Sequence, residues 1–318
     1  MIAGPIGPHG RSSRPPRDLP SVLDDACARA GLPRGARLLR HFSNAVYLLD
    51  HASVVARIGY GQDIVAKATA AVRIATWLAE QDFPVTAPVD LPSGHAQPIV
   101  GSREGQHIAV TFWRYYPQPP GRPWPDTTTL GRLAAALHRL PNPPMSLGAY
   151  RPLRSLSAVI NDSVSAIALR PADREWLRRR VDELRTAFDS LDFPLGRGLI
   201  HADMYTGNLL WNTTDDQHPI VLGDWDSTCI GPREVDLIPT YHEPRFGSAA
   251  NAVHDFAHAY GHDLTTWPGF PVLYGIRELS TLTALVRLAR TNSATADELS
   301  HRLRTLRGGD LATPWHGQ

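Results

Sequence analysis

Lysine is nearly missing from this chain: of its 32 basic residues, only Lys67 is not an arginine. Any phosphate that needs a cationic partner must therefore find arginine, Lys67 or a metal ion. Cysteine is scarce as well. Cys27 and Cys229 lie far apart and in no metal-ligand spacing, which argues against a disulfide framework or a zinc site and suits a reducing cytoplasm. No apolar run approaches the length of a membrane span. An excess of one charge is also lacking. With 32 basic against 31 acidic residues and a formal net charge of +1, no global field draws the chain to nucleic acid or to an anionic membrane. The first twenty residues hold Arg, Pro and Gly but no sustained apolar stretch, so they read as a tail rather than a secretory signal. What is present is 42% hydrophobic residues over 318 positions, enough for one large core or two lobes of a soluble, cytoplasmic globular protein.

Local patterns suggest the lobes. Ser21 and Asp24 resemble a capping box ahead of a short helix that Gly31 ends. Three strands follow as an antiparallel meander, 38–42, 45–49 and 53–58, separated by Ser43-Asn44 and Asp50-His51. Helical spacing runs over 64–81, and a further strand pair, 97–100 and 108–113, leads into YYPQPPGRPWP, which marks a crossing between lobes. Beyond it the periodicity is mainly helical, over 129–140, 156–168, 172–191, 251–260 and 274–290, interrupted by two short β segments between Gly198 and Leu222. The expected division is a tail at 1–20, an N-terminal lobe at 21–116, a helical C-terminal lobe at 117–308 and a loose end at 309–318. The fold class is α+β.

The chemistry concentrates in GLIHADMYTGNLLWNTTDDQHPIVLGDWD, which sets His201, Asp203 and Asn208 on a loop between β segments and Asp224 just after an apolar strand. Phosphoryl transfer needs a carboxylate to accept or orient the hydroxyl proton, and oxygen ligands to hold magnesium against the phosphates. Asp203, Asn208 and Asp224 are that set. The pattern H-x-D-x-x-x-x-N, followed by an apolar strand and D-W-D, resembles the aminoglycoside phosphotransferase and choline kinase-like family.

That resemblance implies a bilobal protein-kinase-like fold with a small antiparallel-sheet N-lobe and a mainly helical C-lobe. It implies a magnesium-dependent (Mg2+) transfer of the γ-phosphoryl group of ATP or GTP to a hydroxyl of a small molecule, such as an aminoglycoside or other antibiotic, a sugar or an amino sugar. In its terms Asp203 is the catalytic carboxylate, His201 organises the loop, Asn208 and Asp224 ligate the metal, and Asp226 and Asp236 brace the loop. Arg57 stands where related folds place the lysine that reaches the phosphates, and Ser43 and Asn44 offer a turn to them. The stretch Thr111 to Tyr115, with Phe112, Trp113, Arg114 and Tyr115, matches the inter-lobe hinge whose backbone meets the purine edge. One departure stands out: Ala71 falls where the family has a helix Glu that pairs with the phosphate-binding cation, and Glu80 lies too near the helix end to replace it. Either Arg57 is then oriented another way, or Lys67 contributes, or the nucleotide site is altered.

Two other readings compete. IVLGDWDST also resembles the D-x-D-x-T motif of haloacid dehalogenase-type phosphatases, although no paired acidic motif follows Asp236 to complete such a site. The absent Glu also fits a degenerate nucleotide-binding module that does no chemistry. His254, His258 and His262 are spaced four apart, but Gly261 ends the helix before the third. Glu243, Asp255, Asp263 and Glu278 are acids that could meet substrate amines.

Overall fold

A computed structural model describes residues 18–41 and 44–316, so the Ser43 position lies outside the described residues. Helix α1 (Leu19–Ala30) starts at Asp18, whose carboxylate accepts the Ser21 N–H at 3.2 Å, and stops at Gly31 with φ 73°. The cap is thus Asp18 rather than Ser21, because Pro20 suits the first helical turn and has no N–H to lose there.

Strands β1 (Arg37–His41), β2 (Ala45–Leu49), β3 (Val54–Tyr60), β4 (Ile99–Arg103) and β5 (Gln106–Arg114) form one antiparallel sheet in the order β1-β2-β3-β5-β4. Arg57 pairs with Val46 on one side and Thr111 on the other, which places it in the middle of the sheet. Leu23 and Cys27 of α1 bury with Tyr47, Ile58 and Phe112 in a core that belongs to this lobe. Helix α2 (Ile64–Glu80) behaves differently. Its buried face, Ala71, Ile74, Ala75, Trp77 and Leu78, joins the core of the second lobe, so the apolar contact between lobes runs through this helix rather than stopping at residue 116.

The second lobe packs α3 (Thr127–Arg139), α4 (Arg154–Asn161), α5 (Pro171–Asp189), α6 (Glu234–His242), α7 (Ala250–Tyr260), α8 (Phe270–Ser280), α9 (Leu282–Leu288) and α10 (Ser293–Gly308) around two short ribbons. These are β6 (Arg197–Ile200) with β9 (Cys229–Pro232), and β7 (Leu209–Trp211) with β8 (Ile220–Leu222). Helices α3 and α7 cross at Gly131, where any Cβ would sit 2.6 Å from the Phe256 carbonyl oxygen. The long pattern over 274–290 is two helices that meet at Thr281. The chain end is not loose where it is described: Trp315 is 3% exposed, with the guanidinium groups of Arg245 and Arg302 4.2 and 5.0 Å from its ring centroid, because a large aromatic with a cationic lid is better buried than solvated. No described helix is long and apolar enough to cross a membrane.

One connection positions the site. The segment after α2 lies beside β8, with Thr86 N–H on Leu222 O and Leu222 N–H on Pro84 O, each at 3.0 Å. The strand that delivers Asp224 is therefore fixed to the chain that links the lobes.

Candidate active site

Strand β6 leads into His201, and the loop that follows is held from below by a single carboxylate. Asp236, in the first turn of α6 and fully buried, accepts the His201 N–H at 2.8 Å and the Ala202 N–H at 2.6 Å. His138 of α3 adds Nε2–H at 3.1 Å, and its Nδ1 meets the Tyr260 hydroxyl at 2.9 Å. Ala202 has φ 62°, a left-handed conformation that an alanine does not adopt without support. Asp236 supplies that support. The His201 ring turns the other way. A carbonyl can only accept, so Nε2 carries the proton it donates to Gly223 O at 2.8 Å, and the ring rests edge-on against Trp225.

Asn208 completes the cross-link. Its side-chain amide donates to Asp203 O at 2.8 Å and its backbone carbonyl oxygen accepts the Gly223 N–H at 2.9 Å. At Gly207 a Cβ would lie 2.3 Å from the Tyr205 ring, so the glycine is what lets that ring lie over the turn. Asp224 follows Gly223 with φ 62° and ψ 60°, a left-handed conformation rare for a residue with a side chain. Asp203, Asn208 and Asp224 are thus carried on two turns sewn to each other by backbone hydrogen bonds.

Arg57 arrives from β3 and closes the site from the other lobe. Its Nη1 lies 3.0 Å from Asp224 Oδ1 and its Nη2 lies 2.6 Å from Asp226 Oδ2. Asn44 donates to Asp226 at 3.3 Å, and Arg40 stands 3.8 Å from Asp224. The family's helix Glu therefore has a substitute: Ala71 is 2% exposed inside an apolar cluster where a carboxylate would be buried, and Asp224 and Asp226 orient the guanidinium instead. This corrects one expectation. Asp226 holds Arg57 and Asn44, while Asp236 holds the loop.

The two neighbouring carboxyls are pushed apart in acidity. Burial alone would raise Asp224, but Arg57, His201 and Arg40 outweigh it and hold it below the ordinary carboxylate range. Burial raises Asp226, and the adjacent Asp224 charge adds to the rise against the pull of Arg57. Asp224 is the more acidic of the two. Among the described residues no three His, Cys, Asp or Glu side chains are grouped to hold a metal by themselves. An ionised Asp224 and the Asn208 side-chain oxygen, left available because its amide nitrogen faces Asp203 O, are the hard oxygen donors that suit magnesium when phosphates and water complete the shell.

At the expected hinge, three backbone donors already have partners. Phe112 N–H donates to Gln97 Oε1 at 2.6 Å, Arg114 N–H to Ala87 O at 2.9 Å and Tyr115 N–H to Ser53 O at 3.0 Å. Those three donors are engaged inside the protein, because 87–97 folds back along β5 where β4 ends. Trp113 pairs with Val55 within the sheet.

Beside Asp203 opens a cleft of about 1000 Å³, bounded by α2, the segment 146–158, Ser227 to Cys229 and the faces of α8 and α9. Arg277 of α8 reaches Asp203 Oδ1 with Nη1 at 3.3 Å. Sequence reasoning missed Arg277, Arg40 and His138, since none has a local motif. His254 and His258 are exposed on α7, and Gly261 caps that helix with φ 91° ahead of His262.

Known structures share this architecture. A microcompartment-associated aminopropanol kinase superposes with a TM-score of 0.68 at 18% identity, over 92% of this chain and 98% of its own. An amicoumacin kinase in complex with AMP-PNP, Ca2+ and its antibiotic gives 0.64 at 15% identity, over 94% and 96%. A spectinomycin phosphotransferase bound to ADP and spectinomycin gives 0.56 at 15%, over 91% and 93%. No curated protein shows significant similarity to the chain. The sheet-rich lobe over a helical lobe is thus the bilobal kinase-like fold. Residues 35–273 match the phosphotransferase enzyme family, and the chain belongs to it: it is a kinase that transfers a phosphoryl group to a small-molecule hydroxyl. Neither the non-catalytic reading nor the D-x-D phosphatase is then supported, for β8 is a three-residue strand in a two-stranded ribbon of a kinase fold.

Proposed function

We propose that the chain is a cytoplasmic, magnesium-dependent kinase in which Asp203 is the catalytic carboxylate. The observation that carries this is the meeting of Asp203, Asn208 and Asp224 on two backbone-locked turns, with Arg57 entering from the sheet. The acceptor hydroxyl oxygen attacks the γ-phosphorus of ATP or GTP, the bond to the β-γ bridging oxygen breaks, the nucleoside diphosphate leaves, and the hydroxyl proton passes to Asp203. Asn208 and Asp224 would hold the magnesium ion, which supplies charge neutralisation at the phosphates when bound. Arg57, released from Asp224 as that carboxylate takes up its ligand role, offers a planar fork to the phosphate oxygens, and Asn44 remains at the turn beside it. His201 keeps the two turns in register and touches no substrate. The names of the structural relatives span a small amino alcohol and two antibiotics, so the fold alone sets no acceptor.

The test is a panel of hydroxyl compounds with ATP or GTP, read by mass gain of one phosphoryl group, together with Asn208→Ala, Asp224→Ala and the double variant. Each single change raises the magnesium concentration needed for half-maximal activity, and the double change is strongly non-additive. Unaltered magnesium dependence in Asp224→Ala overturns the metal assignment.

A further inference from the structure

The cleft beside Asp203 is cationic. Lys67, Arg151, Arg154, Arg277 and Arg287 line it. Only Asp63, Asp203 and Asp226 oppose them, and each is matched: Asp63 by Arg154 at 3.3 Å, Asp203 by Arg277 at 3.3 Å and Asp226 by Arg57 at 2.6 Å. Lys67, Arg151 and Arg287 stand exposed, with no such ion-pair partner among the described residues. Glu243, whose carboxyl also feels the Arg277 charge, faces Thr206 at 3.5 Å and is not part of the wall. A second observation points the same way. The Nε–H of Arg277 is buried and has no acceptor among the described residues, although its Nη1 is paired. The cleft takes in Asp203 and reaches Asp226 but includes neither Arg57 nor Asp224, which sets these cations on the side of Asp203 away from the Arg57–Asp224 pair.

An acceptor rich in ammonium groups would enter against unpaired positive charge, whereas guanidinium forks bind carboxylate and phosphate oxygens with paired hydrogen bonds. Resting on the phosphotransferase reading, we infer that the acceptor is an anion: a small hydroxyl compound bearing an oxyanion group, a carboxylate or a phosphate ester, held by Arg277 and Arg287 with its hydroxyl presented to Asp203. Polycationic aminoglycosides are then not its substrates.

Thermal melts of the full chain at saturating MgADP test this with two series, each of one carbon skeleton and varied charge: glycerate, glycerophosphate, glycerol and serinol, then glucuronate, glucose phosphate, glucose and glucosamine. The acidic members raise the melting temperature and the amines do not. A larger shift for the carboxylates assigns a hydroxy acid, and a larger shift for the esters assigns a phosphorylated alcohol. Arg287→Glu, at an exposed position, raises the concentration of the effective anion needed for half its shift by about tenfold or more. Arg151→Glu does the same in lesser degree and serves if the first variant melts abnormally without ligand. Amines that stabilise as well as acids, an anion shift unchanged in both variants, or no anion shift where MgADP gives one overturns the inference. Absence of any MgADP shift would instead count against the phosphotransferase reading beneath it.

Discussion

The two sides of the site are ordered by different means. On the loop side, a buried carboxylate, two backbone N–H groups and a histidine form a network that substrate never needs to open. On the sheet side, Arg57 is pinned by Asp224 and Asp226, one of which the proposed chemistry requires for another partner. Order on the first side is permanent. On the second it is conditional on which ions are present, so damage to the first should appear in folding and damage to the second in nucleotide use.

The sharpest separation comes from a change that touches neither support. Asp203→Asn should lower kcat by about two to four orders of magnitude while leaving the nucleotide KM and the unfolding midpoint near the parent's, because only the proton acceptor is lost. Steady-state kinetics with a urea melt checks both halves, and turnover within a few-fold of the parent would refute the role. Next in size is the loop support. Asp236→Ala leaves His201 and Ala202 N–H groups buried without an acceptor and removes the partner of His138, so urea unfolding should show a loss of about 3–5 kcal/mol. Asp226→Ala, which leaves Arg57 its other carboxylate, should lose clearly less.

The same helix offers an intermediate case at its far end. His242 is buried among Phe246, Tyr274 and Trp315, and burial, with Arg277, Arg245 and Arg302 near it, lowers its pKa from 6.5 to about 3. Below pH 6.5 the unfolded chain gains a proton there that the folded chain refuses, so stability falls as pH drops from about 6.5 toward about 3. At pH 5 this amounts to about 2 kcal/mol. His242→Phe should flatten that part of the pH profile in chemical unfolding, and an unchanged slope would assign the loss elsewhere. Smallest is the conditional side itself. Arg57→Lys keeps the charge and loses the fork that spans both carboxylates, so the nucleotide KM should rise about tenfold, the scale of one charge-assisted hydrogen bond. A silent Arg57→Lys would move the phosphate contact away from this strand.

The same division governs what could be read in advance. His201, Asp203, Asn208 and Asp224 were legible because one continuous segment carries them and the turn geometry that joins them is local. The sheet was legible for a similar reason, its strands being short runs rich in apolar residues with marked turns between them. Arg277 was not, since it reaches Asp203 from 74 positions further along the chain on a helix whose pattern says only that it is amphipathic. The substitute for the helix Glu was invisible for the same reason: Ala71 shows in sequence what is missing, but only packing reveals that Asp224 and Asp226 do its work. The partners of the 112–115 stretch were hidden because backbone donors leave no side-chain signature, and three of them meet acceptors from 53, 87 and 97. Helix α10 escaped notice because its exposed face is so polar that the buried Leu299 and Leu303 make a thin stripe.

Lys67 gives the cleft wall one more property. As the only lysine in this sequence, exposed on α2 where it borders the cleft, it is the single side-chain amine an acylating reagent can find. Intact-mass spectrometry of the labelled chain would then register one side-chain adduct or none, with the α-amine as the only other target. The molecule carries its own occupancy reporter: a compound that fills the cleft shields that amine, and the fraction of unlabelled protein reads out binding without any engineered tag.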